Sequence, residues 1–118
     1  MKTLGIVNLS SPMANNQGRE SLDLALVAAT FEQEVLLLFA EDGVFQLLKD
    51  THPEHAGMKN FTPTLKALEF YDIEKIYVCK ASLEARHIQP DLLAIEVELV
   101  DRESLPHLMQ QAHHWIRF

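Results

Sequence analysis

Only one cysteine, Cys79, stands in this 118-residue chain. No internal disulfide can form, which suits a reducing compartment and excludes the stapled scaffolds of small secreted domains. Glycine is sparse, at four residues, and the chain carries no phosphate-loop pattern, dinucleotide fingerprint or Gly-x-Ser-x-Gly elbow. No apolar run approaches the ~20 residues a membrane helix needs. The opening "MKTLGIVNLSSP" holds only about six strand-like residues before polar ones, shorter than a signal peptide's apolar core. A cytoplasmic protein is the expectation. A basic cluster is missing too: ten Lys and Arg against seventeen Asp and Glu give a net charge of −7. Nucleic-acid binding draws on phosphate neutralisation, so direct contact with DNA or RNA is disfavoured.

What is present is ordinary globular material, 47% hydrophobic and 23% charged, long enough for one core and too short for two. We expect a single domain over residues 1–118. "TLGIVNL" (3–9) and "EVLLLFA" (34–40) are apolar runs without clean alternation, the mark of strands covered on both faces. "EKIYVC" (74–79) is a third strand, "LLAIEVELV" (92–100) alternates enough for a fourth, and "HWIRF" closes the chain as a fifth. Between them, "RESLDLALVAATF" places Leu22, Leu26 and Ala29 at helical spacing. "GVFQLL" reads as a short helix capped by Asp42, and Thr62 then Pro63 open "TLKALEFY". Ser82 is the expected cap of "SLEARHI", and Pro106 implies a late start or bent first turn for "ESLPHLMQQA". Residues 49–60 show neither period and read as a loop. Alternating strands and helices predict a three-layer α/β sandwich with a mainly parallel sheet of about five strands.

In such sheets chemistry gathers beyond the carboxyl ends of the strands. Cys79 falls there, just before a helix, where a thiol gains thiolate character from the amide dipoles, with Lys80 adding to the field. Free cysteine also packs as a small hydrophobe. If Ile76 and Val78 face one layer, Tyr77 and Cys79 face the other, and burial alone then accounts for Cys79. Both readings stay open. The loop "SSPMANNQGRES" after the first strand is a place where anions are cradled in other α/β proteins, so a stand-alone flavodoxin-like anion-binding module is a further possibility, although Arg19 can equally pair with a carboxylate. Six histidines raise the question of metal, but His52 with His55 and His113 with His114 give no three- or four-ligand set. No cofactor and no metal is expected. Glu41 and Asp42 follow the second strand, with helix capping as their simplest role.

Four segments in register, "GRESLDLAL" (18–26), "EDGVFQLL" (41–48), "FYDIEKIYVCKASLEARHI" (70–88) and the terminal "WIRF", closely resemble the TusC, or DsrF-like, branch of the DsrE/DsrF/DsrH sulfur-relay family. The likeness spans nearly the whole chain and is weakest in 49–60. Ser21 departs from it, standing where the family's Gly-Arg-Glu-Gly-Leu-Asp segment has glycine. The resemblance implies a compact α/β fold and a heterohexamer built from two copies each of three related subunits, with TusB-like and TusD-like companions. It implies a relay of persulfide sulfur from a TusA-like donor toward a TusE-like acceptor, for 2-thiolation of the tRNA wobble uridine. The family's sulfur-carrying cysteine belongs to the TusD or DsrE subunit, so the resemblance leaves this chain mainly structural and Cys79 a candidate only. The alternatives it leaves open are Cys79 as a persulfide carrier in its own right and a DsrF-like role in sulfur oxidation. With a single cysteine, sulfur held on Cys79 would have to leave to another chain.

Overall fold

The computed structural model describes residues 3–10, 17–31, 33–48 and 62–118. Most of the polar loop after the first strand, the 49–60 loop with His52 and His55, and the side chain of Arg19 lie outside the described residues.

Five strands form one sheet: β1 (Thr3–Asn8), β2 (Glu34–Phe39), β3 (Lys75–Cys79), β4 (Glu98–Val100) and β5 (His114–Arg117), in the order β4-β3-β2-β1-β5. Every neighbouring pair is parallel. The helices are α1 (Gln17–Thr30), α2 (Thr62–Phe70), α3 (Lys80–Ala85) and α4 (Leu105–Met109), with a 3-10 helix over Glu41–Leu47. The expected α/β class with its parallel sheet is what the chain adopts.

Crossover handedness explains which face each helix covers. From β1 through β4 each strand is laid on the same side of the last, so right-handed crossovers put their helices on one face. Leu22, Ala25, Leu65, Leu68 and Leu83 accordingly pack with Ile6, Leu37, Phe39 and Val78 in the main core. The connection from β4 to β5 runs back across the sheet, so the same rule sends α4 to the opposite face. There Leu108 closes over Leu36 and Leu38, with Leu105 and Trp115 beside them. β2 is buried from Val35 to Phe39 because both layers meet on it.

Trp115 takes part in that second layer through a glycine. A Cβ on Gly5, its register partner, would lie 2.5 Å from the indole ring. The ring therefore lies on bare backbone, and its N–H donates to the Met109 carbonyl at 2.8 Å.

Three local expectations are corrected. The fourth strand covers only Glu98–Val100, because the chain before it is held elsewhere: Leu93 bridges Leu48 and the Ala94 N–H donates to Leu47 O at 2.7 Å. Asp42 caps nothing. The 3-10 helix begins after Ala40 without a side-chain cap, and Asp42 turns to Arg86 instead. Ser82 is not a cap either, since α3 starts at Lys80 with Cys79 in the cap position and Ser82 lies within the helix. The bent start expected at Pro106 is present as a 3-10 turn, Arg102–Ser104, running into α4.

Candidate functional site

The carboxyl edge of the sheet brings together the ends of β1, β2 and β3. Asn8 ends β1 fully buried, and its carbonyl accepts the Ala40 N–H at 3.0 Å. Gly43 passes directly over that carbonyl; a Cβ there would lie 2.0 Å from Asn8 O, so only glycine permits the approach. Glu41 makes the sharp exit from β2 with φ of 51°, a left-handed conformation uncommon for a residue with a side chain.

That strained turn is held by α3. The Ser82 hydroxyl oxygen accepts the Glu41 N–H at 2.9 Å. One turn later Arg86 donates through Nε and Nη2 to Asp42 Oδ1 at 3.1 and 3.0 Å, and through Nη1 to the Ser82 carbonyl at 3.2 Å. A looser contact of 3.4 Å reaches Glu41. Arg86 thus ties two loops 44 residues apart in sequence, and its charge is answered locally by two carboxylates.

Cys79 sits where its sequence position places it, at the end of β3, paired in register with Val100 and directly ahead of α3. It is 3% exposed. Its side chain makes no cap hydrogen bond to α3, while Lys80 beside it is exposed. A thiol so covered cannot meet another protein's sulfur unless the chain over it moves. Glu41 and Asp42 are brought to the same edge. His113 and His114 are not: they lie at the far edge strand, where His113 Nδ1 accepts the Thr3 N–H at 3.0 Å. Among the described residues no group of three His, Cys, Asp or Glu is placed to hold a metal ion.

Arg86, Asn8 and Gln46 are the edge residues that sequence reasoning misses. Gln46 is buried and donates to the Ser10 carbonyl at 2.9 Å. Both side-chain atoms of Asn8, the Ser21 hydroxyl and the Gln46 carbonyl oxygen are buried without a partner. The local signal for Arg86 is its four-residue spacing from Ser82; for Asn8 it is an amide ending an otherwise apolar strand.

The model of the DsrE/DsrF-like family matches residues 2–118. The chain belongs to the DsrE/DsrF-like family. Within that family it is 34% identical over 111 residues to a TusC homolog from Aliivibrio fischeri, covering 94% of each chain. A TusC homolog from Pseudomonas aeruginosa is 36% identical, over 93% of this chain and 92% of its own. The intracellular sulfur oxidation protein DsrF of Allochromatium vinosum is 38% identical, over 87% of this chain and 76% of its own. The crystal structure of the ychN protein from E. coli superposes along the full length of both chains with a TM-score of 0.84 at 22% identity, a likeness of fold. The DsrE/DsrF-like fold thus accounts for the sheet that assembles this edge.

Proposed function

We propose that this chain is a mainly structural subunit of a sulfur-relay complex, folded as a single DsrE/DsrF-like domain over residues 1–118. The observation that carries the reading is its near end-to-end match to TusC homologs, covering 94% of each chain in one case. In this reading TusB-like and TusD-like subunits join it in a cytoplasmic heterohexamer. The assembly takes persulfide sulfur from a TusA-like donor and passes it toward a TusE-like acceptor for 2-thiolation of the tRNA wobble uridine. The net charge of −7 suits handovers between proteins rather than a grip on tRNA. The burial of Cys79 supports placing the sulfur-carrying thiol on a companion subunit.

The identity to DsrF favours one second reading, the same assembly working in sulfur oxidation. Were Cys79 itself the carrier, its thiolate would attack the outer sulfur of a donor persulfide. The S–S bond would break, the donor thiolate would leave, and an acceptor thiolate would later repeat the exchange on the Cys79 persulfide with no net redox change. One experiment separates these roles. The chain, tagged at its chromosomal locus, is purified from native extract and charged with a labelled persulfide donor, beside Cys79→Ser. Co-elution of two related subunits, with label on a companion and undiminished relay in Cys79→Ser, is the expected result. Elution alone would overturn the reading, and label on Cys79 would transfer the carrier role to this chain.

A further inference from the structure

A groove lies away from Cys79, between α2 and the segment leading into β4. It encloses about 670 Å³, and the sheet explains why it exists. β4 joins β3 only from Tyr77 onward, because Leu93 and Ala94 are held to Leu48 and Leu47. The chain from 94 to 97 therefore stands off β3 and leaves a trough against α2. Its floor is apolar, with Leu65, Ile73 and Ile76 of the core and half-buried Ala94 and Ile95. Its rim is acidic: Glu69, Glu74 and Glu96 are all exposed and face a single cation, Lys66. None of the three enters an ion pair among the described residues. Next to this rim, at the α2 terminus, Phe70 is 84% and Tyr71 42% exposed, their rings in edge contact at 5.8 Å.

We propose that this trough is a docking site for a basic segment of a partner protein, with Lys or Arg side chains flanking an aliphatic or aromatic one. Three carboxylates without an ion-pair partner among the described residues, around an apolar floor, set that chemistry: cations answer the rim and a hydrophobic side chain fills the floor. A nucleic acid would be repelled by the same rim. The trough lies at the amino ends of β3 and β4, opposite the carboxyl edge, so an occupant leaves Cys79 and Arg86 untouched. The proposal holds whether or not the sulfur-relay reading does.

The test uses the full chain and a fluorescein-labelled peptide, Lys-Leu-Lys-Tyr-Arg-Leu-Lys, beside its counterpart with Gln at every basic position. Fluorescence anisotropy should show the basic peptide binding about tenfold or more tighter, the scale of several screened rim charges, with the preference shrinking as salt rises. Amide shifts should centre on Leu65, Ile73, Ile76 and Ile95. The combined variant Glu69→Gln, Glu74→Gln, Glu96→Gln, whose side chains are all exposed, should keep its fold by circular dichroism and lose the preference, while Cys79→Ser retains it. Equal binding of both peptides, no saturable binding, shifts centred elsewhere, or a dimer of this chain that fills the trough would each overturn the proposal.

Discussion

At the carboxyl edge two residues, only two positions apart, meet opposite demands of the backbone. Glu41 carries a side chain at φ of 51°, whereas Gly43 lacks one because the Asn8 carbonyl occupies the space. Glu41→Gly relieves a left-handed conformation that costs about 1 kcal/mol for a residue with a Cβ. It removes only the loose 3.4 Å contact to Arg86 and keeps the N–H that Ser82 accepts. A small rise in the urea midpoint, on the order of 0.5 kcal/mol in stability, is therefore expected. Gly43→Ala should instead lose about 2 kcal/mol or more, since the clash falls on backbone that also receives the Ala40 N–H. Equal effects from the two substitutions would show that the close approach does not shape this turn.

At the scale of elements, α4 is the one helix among the described residues that covers the second face of the sheet, five residues long with Leu108 as its buried anchor. Leu108→Ala should cost about 2–4 kcal/mol for the methyl groups and cavity. It should also red-shift the emission of Trp115, the only tryptophan, whose indole N–H is held by the last residue of α4. An unshifted spectrum would mean that Trp115 is seated by Gly5 and not by α4. Much of this architecture was legible in the chain. The unalternating "EVLLLF" announces a strand buried on both faces, and the helical spacing in α1 is unambiguous. The short β4 was not legible, because its alternating residues are diverted by backbone bonds to Leu47 and Leu48 that no local pattern encodes. Cys79 was placed correctly by position, but its burial depends on what packs over it. Asp42 and Ser82 look like caps because caps are the commonest local use of such side chains; here long-range partners, Arg86 just past α3 and the Glu41 N–H just past β2, claim them instead.

For the molecule as a whole, stability against pH follows from groups clustered at the amino half of the sheet. Glu34 and Lys75 form an ion pair on adjacent strands. The hydrogen bond from Lys75 holds the Glu34 carboxyl below its ordinary range, and the same bond holds the Lys75 ammonium above its own. Burial, followed by the charge of Glu98, raises the Tyr77 hydroxyl. A carboxylate depressed by folding contributes stability that is complete above about pH 4.3, the unfolded value, and is lost as pH falls through the lower folded one. Groups raised by folding contribute below about pH 10, and that contribution disappears as pH climbs through their folded values. Glu34→Gln should therefore flatten the acid limb of the stability curve, by at most about 1 kcal/mol because the pair is solvent-screened. Tyr77→Phe should leave the acid limb alone and flatten the alkaline one. Chemical denaturation across pH 3 to 11 reads both limbs at once. If Glu34→Gln altered only the alkaline side, the pair would be acting through the Lys75 ammonium alone.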